Sequence, residues 1–147
     1  MSSLRVPHTA ASVALVRDRM TAELTGCSLP DAVIDAAAVV VSELVGNAVR
    51  HGAALPGGGL LASWEMVDAA LRVQVVDGGR GPSGQRAPAA PDAEGGRGLE
   101  LVRALALRWG VFPGADSTAV WAELPAAVPL PTCPVASNTA TTRASAP

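Results

Sequence analysis

A long amphipathic helix is the strongest pattern in the chain and spans residues 30–52. Apolar residues recur there at helical spacing, so one side should face a core: Ile34, Ala37, Val41, Leu44 and Ala48. The opposite half carries small and polar residues, namely Ser42, Glu43, Gly46, Asn47, Arg50 and His51. Glu43, Asn47 and His51 are successive i, i+4 neighbours and form a ladder about 12 Å long. This half is either a solvated helix face or a ligand site, and its small residues favour the ligand site.

The remaining patterns predict an α+β fold, a two-layer sandwich in which helices cover one face of a mostly antiparallel sheet. The other predicted helices span residues 9–24, with Thr9 as the cap, and 99–108. The predicted strands span residues 4–6, 60–67, 70–77, 109–112 and 118–124. Residues 1–124 therefore form one domain, and the Pro-, Ala- and Thr-rich residues 125–147 are expected to be a disordered tail.

Charged residues narrow the range of functions. The net charge is −2 and the charges are spread along the chain, so we expect no direct contact with nucleic acid through a basic patch. All 11 basic residues are Arg. The absence of Lys excludes a Walker A phosphate loop and any chemistry that needs a lysine Schiff base or a lysine general base.

The location is expected to be cytoplasmic. Cys27 and Cys133 are far apart and have no neighbours at metal-ligand spacing, which indicates neither a disulfide scaffold nor a zinc site. The apolar run at residues 10–16 is too short for a signal peptide core and lacks a cleavage region. No stretch approaches the roughly 20 apolar residues of a membrane span. These features favour a reducing compartment and no membrane partner.

Asp77 is the second position at which the pattern indicates binding. It is in phase with Leu71, Val73 and Val75, so if these residues face the core, Asp77 points to the same buried side. A buried carboxylate is costly unless it is paired, and no Arg is in register to pair it locally. An adenine amino group would supply a donor, and the glycines that follow leave room for a flat base. The alternative is an ordinary turn Asp that closes a strand before glycines.

The glycines after Asp77 also imitate a dinucleotide-binding signature. Gly79, Gly81 and Gly84 satisfy G-x-G-x-x-G directly after a strand. That motif needs a helix to begin at its third glycine, whereas Pro88 follows shortly afterwards. The next helix begins beyond residues 95–98, where free backbone N–H groups and the positive end of the helix dipole predict an anion site. An ordinary glycine-rich entry to a helix is the alternative.

Three segments together resemble the GHKL ATPases, which share the Bergerat ATP-binding fold. SELVGNAVRHG at residues 42–52, DGGRG at 77–81 and GGRGL at 95–99 are similar to their N, G1 and G2 boxes and occur in the same order. The resemblance covers residues 5–124. A stand-alone domain with a hairpin between the first two boxes is most similar to the anti-sigma-factor serine kinases of actinobacteria and bacilli.

The resemblance implies a role for each matching residue. Glu43 would be the catalytic carboxylate, Asn47 the magnesium ligand and Asp77 the acceptor of the adenine amino group. Further contacts would come from Arg50 and His51 beside the phosphates, Gly79 and Gly81 at the base, and Gly96, Arg97, Gly98 and Leu99 at the phosphate-binding helix start. Since the loop between the boxes has no Lys, Arg86 and Arg97 would supply charge to the γ-phosphate. The sparsely apolar residues 83–94 are predicted to be a lid that orders on nucleotide.

The same resemblance implies a function and partners. The relatives use ATP and Mg²⁺ to phosphorylate a serine of an anti-anti-sigma protein of the STAS type, and they sequester a sigma factor. A homodimer is the oligomeric state that these relatives suggest. The alternative is a non-catalytic module that binds ATP and holds a regulatory partner without phosphate transfer.

Overall fold

The structure, a computed structural model, describes residues 1–79 and 97–126. The strands within them are β1 (Ser2–Val6), β2 (Leu60–Val67), β3 (Ala70–Asp77), β4 (Arg108–Pro113) and β5 (Thr118–Pro125). The helices are α1 (Ser12–Gly26), α2 (Asp31–His51) and α3 (Arg97–Leu105). This order confirms the predicted α+β fold.

The five strands of the described residues form one antiparallel sheet in the order β1-β2-β3-β5-β4. The predicted hairpin of β2 and β3 is confirmed, and it turns at Asp68 and Ala69. Asp68 adopts a positive φ of 53°, a conformation that Asp tolerates better than most residues. In the second hairpin the later strand, β5, pairs with β3 and leaves β4 at the edge.

Alternation along β3 shows which face of the sheet is covered. Leu71, Val73, Val75 and Asp77 are buried, while the residues between them are partly exposed. This confirms that Asp77 lies in phase with the core-facing residues. Helix α2 packs on β3 and β5, and both α1 and α3 pack against α2. The core therefore lies between the sheet and α2.

The predicted apolar stripe of α2 is confirmed. Its buried residues are Ile34, Ala37, Val40, Val41, Leu44, Val45, Gly46 and Ala48. Gly46, which the periodicity placed on the polar half of the helix, is also buried. The reason is local, because a Cβ at Gly46 would lie 3.1 Å from Nη1 of Arg50, whose side chain covers it.

Several element ends differ from the prediction. Thr9 does not cap α1, which begins at Ser12 after a turn and has no side-chain hydrogen bond at its N-cap, Ala11. Helix α3 begins at Arg97 and ends at Leu105, because the chain continues into β4 from Arg108. Strand β5 runs to Pro125, and the next residue, Ala126, donates its N–H to the carbonyl of Ala69 at 2.9 Å.

Two expectations from composition need correction. By length and mean hydropathy, 1.7, helix α2 is apolar enough to cross a membrane, contrary to the expectation that no stretch approaches a span. A core helix passes the same test, and the apolar face of α2 packs within the domain.

Cys27 is disulfide-bonded, so the expectation of no disulfide is wrong.

Two predicted features fall largely outside the described residues. The predicted lid at residues 83–94 lies within residues 80–96, which the structure does not describe. The predicted tail lies outside the description from residue 127 onward.

Candidate functional site

The predicted ladder lies on the C-terminal half of α2. The helix runs unbroken to His51, so Glu43, Asn47 and His51 stand one turn apart on one side. Glu43 and Asn47 are half-buried, and His51 is exposed. Glu43 forms no hydrogen bond or ion pair with any residue that the structure describes. Within the described residues its carboxylate is therefore unpaired.

Arg50 folds back along the helix onto Asn47. Its Nη2 donates to the Oδ1 of Asn47 at 2.9 Å, and its guanidinium lies beside the bare Cα of Gly46. A side chain at Gly46 would crowd this arrangement. Arg50 is exposed, so its guanidinium combines a fixed hydrogen bond with access to solvent. The arrangement places a cation next to the amide oxygen that was predicted to bind magnesium.

Asp77 ends β3 as a buried carboxylate, 7% exposed. Burial raises its pKa above the ordinary value, while the Gly79 N–H and the charge of His8 act in the opposite direction. The N–H of Gly79 donates to Oδ1 of Asp77 at 2.6 Å. Among the described residues, no other side chain donates a hydrogen bond to Asp77. Its remaining acceptor capacity therefore suits a ligand donor.

Backbone pairing joins the end of α2 to the end of β3. Ala53 donates to the carbonyl of Gly79, and Gly78 donates to the carbonyl of Ala53, both at 2.8 Å. A Cβ at Gly52 would overlap Oδ2 of Asp77, and a Cβ at Gly78 would overlap the carbonyl oxygen of Ala54. Gly52 and Gly78 are therefore required by close approach. The pairing fixes Asp77 beside the last turn of α2.

The conformation of Gly79 shapes the surroundings of Asp77. Its φ is +70°, which favours glycine, and this conformation turns its N–H towards Asp77. Thr118, the first residue of β5, is the register partner of Asp77. A Cβ at Gly79 would lie 3.5 Å from Oγ1 of Thr118, so the hydroxyl lies close to Gly79.

Sequence reasoning missed Gly52, His8 and Thr118. The glycine after the helix was a visible signal, but it had an ordinary explanation as a helix terminator. Nothing in the local sequence marks His8 or Thr118, because their positions depend on the register of β5 and on the packing of the β1–α1 turn.

The phosphate side of the predicted site is only partly described. Gly81, Arg86 and Gly96 lie outside the described residues. Arg97, Gly98 and Leu99 form the first turn of α3, close to the helix start predicted at Leu99. Helix α3 packs against α2, so the structure brings the helix that carries the third box to the helix that carries Glu43 and Asn47.

The chemistry of Asn47 is compatible with magnesium. Mg²⁺ keeps several waters and takes one or two protein ligands together with phosphate oxygens. Within residues 1–79 and 97–126, no group of three or more His, Cys, Asp and Glu side chains could hold a metal ion alone. Oδ1 of Asn47 has a second lone pair besides the one that accepts from Arg50. The residues therefore fit a magnesium ion that nucleotide phosphates help to hold.

Comparison with known proteins identifies the family of the domain. Residues 6–122 match the family described as the histidine kinase-like ATPase domain. No curated protein matches the chain. Among solved structures, the chain is similar to the RsbU and RsbW domains of Rv1364c from Mycobacterium tuberculosis, with a TM-score of 0.65 and 21% identity. The match covers 88% of this chain and 34% of that one, so this chain spans about a third of its length.

Proposed function

The chain belongs to the histidine kinase-like ATPase domains, and on this premise we propose that it binds ATP with Mg²⁺ and transfers the γ-phosphate to a serine of a protein partner. The single observation that carries the nucleotide-binding part of the proposal is Asp77, a buried carboxylate held against Gly52 with one oxygen bonded to a backbone N–H. Such a group lowers the stability of the fold unless a donor uses it.

Adenine recognition follows from the chemistry of Asp77. The exocyclic amino group of adenine donates hydrogen bonds, whereas guanine carries an oxygen at the corresponding position. A carboxylate with accepting positions left therefore selects adenine over guanine. Gly52, Gly78 and Gly79 carry no side chains that would block a flat base from this carboxylate. The hydroxyl of Thr118 offers a further polar contact at the pocket border.

Phosphate contacts come from the polar half of α2 and the start of α3. Asn47 offers an amide oxygen to Mg²⁺, and Arg50 and His51 lie within one helical turn of it. The first turn of α3, with Arg97, Gly98 and Leu99, offers backbone N–H groups that have no acceptor within the helix, together with the positive end of the helix dipole. Gly81 and Gly96 extend the same motifs. Mg²⁺ supplies charge neutralisation for the phosphates when it is bound.

Glu43 is the proposed general base. It lies one helical turn before Asn47, half-buried and without a partner among the described residues. Glu43 accepts the proton of the serine hydroxyl while the hydroxyl oxygen bonds the γ-phosphorus and the bond to the ADP oxygen breaks. The products are a phosphoserine on the partner and ADP.

The proposed role is that of an anti-sigma factor. The partners are then an anti-anti-sigma protein of the STAS type, which receives the phosphate, and a sigma factor, which is held when that protein is phosphorylated. The fold shared with a chain that contains an RsbW domain supports this choice of partners. A cytoplasmic location, a homodimer, and no direct contact with nucleic acid or membrane belong to the same proposal.

A second function is favoured by one observation. Arg50 already donates to the amide oxygen that is proposed to bind Mg²⁺, and a cation there opposes the metal. A module that binds ATP and a partner without transferring phosphate would tolerate this contact. The two functions differ only in the chemical step.

Co-purification of partners followed by incubation with ATP labelled at the γ-phosphate separates the two. The kinase predicts a labelled serine on a co-purified protein. The binding module predicts ATP-dependent retention of the partner with no label. A protein that binds no adenine nucleotide would contradict both.

A further inference from the structure

His8 contacts the last turn of α2 from a distant part of the chain. It lies in the turn between β1 and α1 and is half-buried. Its Nε2 is 3.0 Å from the carbonyl oxygen of Ala48 and 3.1 Å from that of Gly52. Carbonyl oxygens only accept hydrogen bonds, so Nε2 carries the hydrogen and donates to both. The imidazole therefore bridges the two ends of one helical turn.

That turn is the part of α2 that touches Asp77. The last carbonyls of a helix have no partner within it, and a histidine donor there is favourable. Gly52 donates its N–H to the carbonyl of Ala48 at 3.0 Å, and its Cα packs against the Asp77 carboxylate. Movement of this turn would change the distance between Gly52 and Asp77. His8 restrains both carbonyls at once.

The segment that carries His8 is itself held in place. Ser12 is fully buried, and its hydroxyl donates to the carbonyl of Pro7 at 2.6 Å. Within the same turn, Thr9 donates its N–H to the carbonyl of Pro7 at 2.9 Å, and Ser12 donates its N–H to that of Thr9 at 3.1 Å. The imidazole is therefore presented by a hydrogen-bonded turn.

His8 also acts on Asp77 through charge. Burial raises the pKa of Asp77, and the positive charge of His8 lowers it, together with the N–H of Gly79. Gly52, directly after α2, and Thr118 of β5 also lie beside Asp77, and neither carries a charge. Among the described residues, His8 is the charged group that acts on this carboxylate.

We propose that His8 is a positioning residue of the nucleotide pocket, which holds the last turn of α2 against Asp77 and keeps the carboxylate able to accept the adenine amino group. The inference rests on the proposed role of Asp77 in binding adenine. A histidine that only caps a helix would instead affect stability alone.

The test uses the full chain, with Mg²⁺ and a non-hydrolysable ATP analogue as the probe in calorimetry. His8→Leu removes the donor and the charge, and the affinity should fall about tenfold, as for loss of a hydrogen bond of about 1.4 kcal/mol. His8→Gln can place an N–H where Nε2 was but has no charge. It should recover most of the affinity at neutral pH.

A pH series separates positioning from capping. The affinity of the wild type should fall in acid, because protonated Asp77 accepts less well. In His8→Gln the fall should begin at a higher pH, because the neighbouring positive charge that favours ionised Asp77 is gone. A helix cap without influence on the pocket would leave this pH profile unchanged.

Arg5→Leu is the matched control. Arg5 Nη1 donates to the carbonyl of Gly58 at 2.7 Å, which is also a side-chain contact from the N-terminal segment to a distant carbonyl. Its loss should leave the affinity for the analogue unchanged. Thermal melting of each variant shows that the protein measured is folded. If His8→Leu does not fold, the pH profile of His8→Gln decides.

The outcomes are distinct. Folded His8→Leu with wild-type affinity, or His8→Gln with the wild-type pH profile, would overturn the role of His8. An equal loss of affinity in Arg5→Leu would also overturn it, since the effect would not be specific. A wild type that does not bind the analogue would refute the nucleotide site itself, and this inference with it. If the wild type binds and the affinity falls in Asp77→Asn but not in His8→Leu, only the role of His8 is refuted.

Discussion

Two buried carboxylates on the two faces of the same sheet have opposite environments. Glu123 is 2% exposed and lies between two guanidinium groups, with Arg72 Nη2 at 2.6 Å from Oε1 and Arg108 Nε at 2.9 Å from Oε2. Asp77 is 7% exposed and is bonded to one backbone N–H. Both carboxylates are desolvated. Only Glu123 is neutralised by hydrogen-bonded cations from its own chain.

The pKa values of the two groups move in opposite directions for this reason. Burial would raise the pKa of Glu123, but hydrogen bonds and charge from Arg72 and Arg108 outweigh it, so the net pKa is lowered. For Asp77 burial outweighs the Gly79 N–H and the His8 charge, and the pKa is raised. A carboxylate satisfied within the fold has a structural role, whereas one left with spare acceptor capacity is suited to a ligand.

Glu43 sharpens the comparison, because it is a third carboxylate that should affect neither stability nor binding. Glu43→Gln keeps the shape of the side chain and removes its basicity. Phosphate transfer to the partner serine should fall by about 10²- to 10⁴-fold, the usual contribution of a general base. Affinity for ATP with Mg²⁺ should remain, as measured by calorimetry alongside transfer of labelled phosphate.

Two further variants serve as comparisons for Glu43→Gln. Asp35→Asn changes an exposed carboxylate on the same helix and should leave both transfer and affinity at wild-type values. Asn47→Ala should lower magnesium-dependent affinity and transfer together, because it removes the proposed metal ligand. Unchanged transfer in Glu43→Gln would rule out the general base.

Removing both cations of Glu123 should leave its charge buried and unpaired. Arg72→Met combined with Arg108→Met should lower the free energy of unfolding by about 3 to 5 kcal/mol, as measured by urea denaturation. ATP affinity of the folded protein should not change. Arg17→Met, which breaks the exposed pair with Asp18, should cost about 1 kcal/mol or less. If the double variant loses no more free energy of unfolding than Arg17→Met, Glu123 tolerates burial without its partners.

Asp77→Asn should have the reverse pattern. ATP affinity should fall by roughly tenfold to more than a hundredfold, because a charged acceptor of a buried donor contributes about 1.5 to 3 kcal/mol. The free energy of unfolding at neutral pH should stay the same or rise, since the variant removes a desolvated charge. Asp68→Asn, in the exposed β2–β3 turn, should change neither quantity.

Selectivity for the base tests the same assignment in the wild type. Calorimetry should show tighter binding of ATP than of GTP, and Asp77→Asn should reduce that difference. Equal affinities of the wild type for the two nucleotides would exclude Asp77 as the adenine acceptor.

Stability in acid provides the smallest expected effect. The pKa of Glu123 is lowered from 4.5, so its contribution is present above that pH and is lost as the pH falls below it. The pKa of Asp77 is raised from 3.8, so its ionisation destabilises the fold as the pH rises above that value. Each proton changes the free energy of unfolding by at most about 1.4 kcal/mol per pH unit.

The measurement is urea denaturation between pH 3 and 7, taken as roughly the range of carboxyl titration. In the wild type, ionisation of Glu123 should increase the free energy of unfolding as the pH rises. Glu123→Gln should lack this increase. Over the same rise in pH, the free energy of unfolding of Asp77→Asn should increase relative to that of the wild type. For each variant, the difference in free energy of unfolding from the wild type is plotted against pH. Slopes of the same sign for the two variants would contradict the opposite environments of Glu123 and Asp77.

Periodicity was sufficient to predict much of this architecture. The apolar spacing of α2 and the alternation along β3 predicted the buried stripe and the inward direction of Asp77, and both are confirmed. The ends of elements were less accurate, as at Ser12 and Leu105, because capping and chain reversal depend on neighbours in space.

The amino-acid sequence by itself determined the order of elements, the ladder on α2 and the phase of Asp77, since each depends on the local geometry of one helix or one strand. Tertiary structure decided the partners of these groups. Strand register placed Glu123 between Arg72 and Arg108 and set Thr118 opposite Asp77. Packing of the β1–α1 turn brought His8 to α2. These contacts join residues far apart in sequence, so no local pattern encodes them, although they determine which of the two buried carboxylates is hydrogen-bonded to cations and which is not.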